Sequence, residues 1–211
     1  MRAQPLTPDG VVRHVAEAVL ATADRQGGRL RVAIDGAPAA GPGDLADALV
    51  DPLRAAGRPV VRVSADDFLR PASLRLEHGH DDADAYLEDR IDTGALTREV
   101  LDPLGEGGTG RYLPSFWDPR TDRATRAPYE ATAPGTVLLL DGALLLGRWL
   151  DLDLTVHLAL RPATLARRTP PDGAWTLPAF ARYGEEVRPE EVADLVLRVD
   201  DPRHPALVVD V

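Results

Sequence analysis

The sequence of 211 residues contains no cysteine and no lysine, and each absence excludes a kind of site. Without cysteine the chain has neither a disulfide framework nor a thiolate metal site. Every basic side chain apart from histidine is an arginine. No lysine is therefore available anywhere in the chain to neutralise a bound anion.

Long apolar segments and excess positive charge are also missing. No segment approaches the roughly 20 apolar residues that span a bilayer. The N-terminal stretch has the pattern of an amphipathic helix over residues 8–25, not of a signal peptide. The formal net charge of −10 disfavours a nucleic-acid or anionic-membrane surface. We therefore expect a cytoplasmic protein that binds small molecules, with no nucleic acid or membrane as partner.

The length and the 44% hydrophobic content fit one sizeable domain over residues 1–211. Short apolar runs alternate with helical patterns along the chain. The predicted strands are residues 30–34, 59–63, 136–140, 152–160 and 195–199, with 206–209 as an edge strand. This alternation predicts an α/β fold, a three-layer sandwich with a mainly parallel central sheet.

The stretch 30–53 joins a strand, a loop of small residues and a helical pattern, which is the order of a phosphate-binding turn. Gly36 and Gly41 have the spacing of G-x-x-x-x-G-K-[ST], but Pro42 replaces the lysine and Gly43 replaces the serine or threonine. Asp44 adds negative charge to the first helical turn. The same residues also fit a plain helix start with proline and an acid in its first turn.

Six stretches together carry a family resemblance. They are RVAIDGAPAAG, RPVVRVSADDFLRP, YLEDRIDTGALTREVLDPLG, RYLPSFWDPRTDR, VLLLDGALLL and ADLVLRVDDPRHP. In this order they resemble the uridine kinase-like branch of the P-loop kinases, which includes phosphoribulokinase and pantothenate kinase relatives. The resemblance implies a P-loop NTPase-type fold and transfer of the ATP or GTP γ-phosphoryl, with Mg²⁺, to a nucleoside 5′-hydroxyl.

Two alternatives to a working kinase follow from the altered loop. One is a non-catalytic relative that binds a nucleoside or a phosphorylated metabolite, and the other is a purely structural protein. A homo-oligomer is compatible with all three hypotheses.

By position, the resemblance implies a role for each matching residue. Asp66 would be the catalytic base, Asp141 a ligand for the metal, and Arg167 a nucleotide contact from a short lid over residues 161–183. The implied phosphate loop comprises Gly36, Ala37, Pro38, Ala39, Ala40, Gly41, Pro42, Gly43 and Asp44. The implied substrate contacts are Asp92, Phe116, Trp117 and Arg161.

Each of these residues also has a structural interpretation. Asp66 and Asp92 fit as helix caps, Phe116 and Trp117 as packing residues, and Asp141 as the end of a strand before a turn. The arginines fit as solvated surface charges. The sequence leaves both interpretations open.

Overall fold

The computed structural model describes residues 2–26 and 28–209, and its core is a seven-stranded sheet. The strands are β1 (Arg2–Pro5), β2 (Leu30–Gly36), β3 (Val60–Ser64), β4 (Arg111–Tyr112), β5 (Trp117–Asp118), β6 (Arg123–Ala124), β7 (Glu130–Ala131), β8 (Val137–Gly142), β9 (Leu154–Ala159), β10 (Leu195–Arg198) and β11 (Ala206–Val209). The order in the main sheet is β1-β11-β10-β9-β2-β8-β3.

Helices connect these strands. They are α1 (Pro8–Gln26), α2 (Pro42–Ala55), α3 (Ala72–Arg75), α4 (Ala83–Glu88), α5 (Thr93–Leu96), α6 (Asp102–Leu104), α7 (Pro162–Arg168), α8 (Leu177–Glu186) and α9 (Pro189–Val192). Short 3₁₀ turns precede α2, follow β3 and precede α8. Residues 161–183, the predicted lid, form α7, a 3₁₀ turn and most of α8.

The five central strands β10, β9, β2, β8 and β3 pair in parallel, whereas β11 and β1 extend the sheet antiparallel. Every residue of β2 and of β8 is buried. Both strands read as continuous apolar runs because helices cover the two faces of a parallel sheet. The predicted α/β class with a mainly parallel sheet is confirmed.

Two apolar clusters lie on opposite faces of the sheet. On one face, α1 and α2 pack against alternate residues of β2, with Val19, Leu49 and Ile34 in one cluster. The other face carries a cluster around Phe68 and Leu138. Because side chains alternate along a strand, the two sets come from neighbouring positions of the same strands.

The edge of the sheet differs from the prediction. Residues 206–209 form a strand, but it lies between β10 and β1 and is not the edge. The edge strand β1 has the sequence Arg-Ala-Gln-Pro, without apolar alternation, and its register follows from antiparallel pairing with β11. Only long-range pairing specifies this strand, so local sequence could not reveal it.

The region 111–126, predicted as irregular or a hairpin, contributes to two small ribbons, β4 with β7 and β5 with β6. Among the described helices, none combines the length and the apolar character that a membrane crossing requires.

An ion-pair cluster anchors the start of β2, at the end of the sheet away from the loop. Arg31 is buried, and its Nη2 lies 2.9 Å from Asp153 Oδ1 while its Nη1 lies 2.6 Å from Asp151 Oδ2. Asp153 Oδ2 also accepts from the backbone N–H and the Nε of Arg31, at 2.8 and 3.0 Å. Asp153 therefore compensates most of a buried positive charge.

We expect Asp153→Ala to lower the free energy of unfolding by about 3 kcal/mol, because it leaves the buried guanidinium with only the exposed Asp151 as a partner. Asp151→Ala is the matched control, and it should cost much less because the Asp151 side chain is 74% exposed. Urea unfolding of both variants measures the difference. Equal losses in the two variants would contradict this assignment.

Candidate functional site

The carboxyl ends of β2, β8 and β3 bring polar residues together at one edge of the sheet. Asp141 on β8 is paired in register with Ile34 on β2 and with Ser64 on β3. A side chain at Gly142 would place its Cβ 2.8 Å from that of Ala65, so glycine lets β8 end against the turn that carries Asp66. This edge is where ligands bind in parallel α/β sheets.

Part of the loop after β2 folds into a 3₁₀ turn, and the hydrogen bonds of this turn occupy backbone N–H groups. Residues Pro38–Ala40 form a 3₁₀ turn, in which Ala40 N–H donates to Ala37 O at 2.8 Å and Gly41 N–H donates to Pro38 O at 3.1 Å. Pro38 and Pro42 have no N–H to offer. Four of the nine residues of the loop 36–44 therefore present no free N–H to an anion.

The carboxylate of Asp44 lies over this loop. Its Oδ2 is 3.0 Å from the position of a Cβ on Gly41, whose φ of +74° requires the left-handed conformation that glycine adopts readily. A phosphate at the start of α2 would meet this negative charge. The helix dipole is thus already complemented by a residue of the chain itself.

Asp141 has an arginine partner. Arg62 on β3 donates from Nη2 to Asp141 Oδ1 at 2.5 Å, and from Nη1 to Asp47 on α2. Ser64 Oγ lies 3.3 Å from Asp141 Oδ2. Gly43, at the position of the motif's hydroxyl residue, would place a Cβ 3.4 Å from that same oxygen.

These residues do not fit Mg²⁺ with a nucleoside triphosphate. Position 43 of the loop has no hydroxyl side chain, the carboxylate of Asp141 is neutralised by Arg62, and the loop has no lysine. Within residues 2–26 and 28–209, no cluster of three histidine or acidic side chains could hold a metal ion. Asp141, the predicted metal ligand, forms an ion pair with Arg62.

Asp66 also has an arginine partner. Arg90 Nη2 donates to Asp66 Oδ1 at 2.7 Å, and the Asp66 side chain is 56% exposed. The backbone N–H of Asp66 lies 3.4 Å from Ser64 Oγ, so Ser64 caps the 3₁₀ turn Ala65–Phe68. The predicted base therefore stands open at the sheet edge, with its charge compensated by a cation.

The neighbouring carboxyl of Asp67 faces the other acids of the site. Burial raises the pKa of Asp67 from its ordinary value of 3.8, and the charges of Asp66, Asp141 and Asp118 raise the pKa further. Asp67 is not among the residues to which the sequence assigns a role in the site. Its burial could not be read from two adjacent identical residues.

Three of the predicted substrate contacts, Asp92, Phe116 and Trp117, make defined contacts within the protein. Asp92 caps α5, because its Oδ1 accepts from the Ala95 N–H at 2.8 Å. Phe116 stacks on the buried Phe68, with ring centroids 6.2 Å apart. Trp117 donates from Nε1 to Asp122 Oδ1 at 3.0 Å. These contacts do not test a role in substrate binding, which stays a prediction for each residue.

In the described part of the chain, the arginines of the predicted lid form no ion pair with the loop 36–44. Arg161 precedes α7 and lies 3.5 Å from Asp200 Oδ2, and Arg167 is exposed on the same helix. Arg168 donates to the backbone oxygens of Val199 and Asp200 at 3.1 and 2.7 Å. Arg168 thus fastens α7 to the end of β10.

A cavity of about 430 Å³ was not predicted from the sequence. We call it the cavity beside Asp66, because Arg90, which pairs with Asp66, forms part of its wall. Its walls combine cationic and aromatic side chains, namely Arg75, Arg90, His80, Tyr86 and Trp175, with Asp81 and Asp82 also at its surface. The residues come from separate segments, and no short motif joins them.

The buried β2, the loop between β2 and α2, and the acids at the carboxyl ends of β3 and β8 are arranged as in a P-loop kinase-type α/β fold. No protein-family model matches the sequence, and no curated protein matches it.

Solved structures share the fold at low sequence identity. A "possible uridine kinase" from Bacillus stearothermophilus is 22% identical with a TM-score of 0.70, covering 88% of this chain and 96% of its own. A provisionally assigned fructose transport system kinase from Silicibacter is 22% identical with a TM-score of 0.57, covering 86% and 94%. D-glycerate 3-kinase from Cryptococcus neoformans is 16% identical with a TM-score of 0.50, covering 89% and 72%. The uridine kinase-like resemblance is confirmed at the level of the fold.

We expect Asp67→Asn to raise Tm at pH 7. Because the pKa of Asp67 is higher in the folded state, its proton is held more tightly there, and the ionised carboxylate costs stability above that pKa. The gain should shrink as the pH falls through the raised pKa and vanish below the ordinary value of 3.8, where the group is protonated in both states. Asp66→Asn, which breaks the pair with Arg90, is the control and should give no gain. A pH-independent gain would contradict the assignment.

We also expect Arg62→Gln to create a response to Mg²⁺, because it leaves the carboxylates of Asp47 and Asp141 without their shared cation. At 10 mM Mg²⁺, Tm of this variant should rise by about 3 °C, the shift that roughly 1 kcal/mol gives a chain of this length. Thermal unfolding of the wild type and of Arg62→Gln/Asp141→Asn supplies the controls. An equal Mg²⁺ response in all three would overturn the role of Arg62.

Proposed function

We propose that this chain is a uridine kinase-like P-loop fold protein that binds an anionic, ring-bearing small molecule, such as a nucleoside monophosphate. Its phosphoryl-transfer activity is weak or lost. The observation that carries the proposal is the cavity beside Asp66, which is lined by Arg75, Arg90, Tyr86 and Trp175. A cytoplasmic location, with no nucleic-acid or membrane partner, belongs to the same proposal.

The two arginines supply the anion preference. Arg75 Nε and Arg90 Nη1 are buried, and neither has a hydrogen-bond partner in the described part of the chain. A buried guanidinium N–H without a partner carries a desolvation cost that an anionic ligand can relieve after a small side-chain movement. Guanidinium groups also match phosphate oxygens in bidentate geometry.

The aromatic residues supply a surface for a ring. Tyr86 and Trp175 meet edge to face, with ring centroids 5.4 Å apart at 85°. Arg90 Cζ lies 4.9 Å from the centroid of the Tyr86 ring. A base or sugar that packs here would bring its charged group to Arg90 and its hydroxyl groups toward Asp66.

The weak or lost phosphoryl-transfer activity follows from the residues of the loop 36–44. Phosphoryl transfer depends on positioning and on neutralising the charge of the transferred group. Loss of a single preorganised donor costs roughly 3 kcal/mol of transition-state stabilisation. This chain lacks the lysine and the hydroxyl, and its Asp44 carboxylate lies against Gly41. No catalytic step through a metal-bound nucleotide is therefore assigned.

A second candidate is a slow uridine kinase-like nucleoside kinase with ATP or GTP as donor. The position and exposure of Asp66 favour it, because a base at this sheet edge can reach a sugar hydroxyl. In that case Asp92, Phe116, Trp117 and Arg161 remain the proposed substrate contacts. Arg167 and the loop 36–44 remain the proposed nucleotide contacts.

We expect UMP to bind at least tenfold more tightly than uridine, a difference of about 1.4 kcal/mol from the phosphate contacts. Arg75→Gln should remove most of that difference and leave uridine binding unchanged. Arg70→Gln is the matched control, because Arg70 pairs with Asp89 and does not line the cavity. Isothermal titration calorimetry measures all three proteins. Equal affinities for UMP and uridine in the wild type would contradict the anion preference.

Turnover separates the two candidates. The wild type is incubated with Mg²⁺, ATP and uridine, and UMP is quantified by chromatography. Formation of UMP that Asp66→Asn abolishes would favour the kinase and contradict the loss of activity. Binding of UMP without turnover supports the binding protein.

A further inference from the structure

A second cavity, of about 900 Å³, lies under α7 and α8 beside the carboxyl end of β9. Its walls are mainly apolar, formed by Leu144, Leu158, Leu165, Leu177 and Phe180, and its rim reaches Gly36 and Ala37. It shares no lining residue with the cavity beside Asp66. The volume is within the range of small-molecule sites, about 300–1,000 Å³.

Three buried polar side chains meet at the wall of this cavity. Asp35 is fully buried at the end of β2, and its Oδ2 lies 2.7 Å from His157 Nδ1 on β9. Tyr183 on α8 donates from its hydroxyl to the same Oδ2 at 3.0 Å. The hydroxyl also accepts from the Leu146 N–H at 3.0 Å, and the Leu145 N–H donates to Asp35 Oδ1 at 2.8 Å.

This arrangement determines which groups donate a hydrogen bond to Asp35. Burial raises the pKa of the Tyr183 hydroxyl, which keeps its proton and remains a donor. Asp35 accepts from Tyr183 and from the Leu145 N–H, as an ionised carboxylate does. The third group at Asp35 must then be a donor, so His157 Nδ1 carries the proton. In the neutral ring, Nε2 of His157 is consequently an acceptor.

The Nε2 atom is available to a ligand. The His157 side chain is 90% buried and lines the cavity. Among the described residues, no donor is within hydrogen-bond distance of its Nε2. An acceptor held in an apolar pocket without a partner gains from a ligand that brings an N–H or O–H group.

The charges at the rim favour a neutral ligand. Arg198 pairs with Glu190 at 3.2 Å and Arg188 pairs with Glu191 at 3.0 Å, so these four charges are compensated. Glu185 is exposed at the rim and has no cation within ion-pair distance among the described residues. An anion would therefore find no free positive charge at this rim.

We propose that this cavity binds a neutral, largely apolar ring molecule that donates an N–H or O–H hydrogen bond to His157 Nε2. Asp35 and Tyr183 are positioning residues, which hold the imidazole and its tautomer. The site is separate from the one beside Asp66 and does not depend on the proposed function.

Indole and 1-methylindole form a matched pair of probes, because only indole has the N–H donor. We expect indole to bind about fivefold more tightly than 1-methylindole, the ratio that one hydrogen bond gives. Ligand-observed NMR titration measures both affinities in the full chain. A ¹⁵N spectrum of the histidine rings should show that indole shifts Nε2 of His157 and leaves the other four histidines unchanged.

Two helix variants test the location without disturbing the buried cluster. Ala166 on α7 lines the cavity, so Ala166→Trp should weaken indole binding at least tenfold. Ala163→Trp, on the same helix but outside the cavity, should bind like the wild type. His157→Gln should reduce the preference for indole over 1-methylindole. The proposal is overturned if indole fails to bind, if both probes bind equally, or if Ala166→Trp has no effect.

Discussion

The pairing of the buried strands β2, β8 and β9 is the constraint on which the site depends. Their register brings Asp141 next to Ile34 and Asp35 next to His157. Because strands of a parallel sheet end at a common edge, both acids lie beside the loop after β2. One acid points toward β3 and the other toward α8, so the same sheet edge carries two separate polar clusters.

Arginine side chains compensate the negative charge of the acids at this edge of the sheet. Arg62 pairs with Asp141, and Arg90 pairs with Asp66. Unlike a diffusible metal ion, a guanidinium is tethered to the fold and stays charged at every physiological pH. These acids are thereby satisfied within the chain. The fold therefore holds these carboxylates beside a loop that carries neither a lysine nor a hydroxyl side chain.

The α/β class could be predicted because β2 and β8 are continuous apolar runs, and parallel burial leaves that pattern in the sequence. The positions of Asp66 and Asp141 after strands were equally visible. Their partners were not, since Arg62 and Asp141 are separated by 79 residues and meet only through strand pairing. The Asp35–His157 contact spans 122 residues for the same reason. Strand β1 also depends wholly on its neighbour.

The hydroxyl of Tyr183 links α8 to two buried groups, Asp35 and the Leu146 N–H. Swinging α8 outward would break both links at once and leave an ionised carboxylate facing an apolar wall, which is costly. The segment over β9, which includes α8, is thus held in place by these two hydrogen bonds and does not open as a hinged lid. Exchange of a guest beneath it must proceed through small local openings, so slow entry and long residence accompany even a modest affinity.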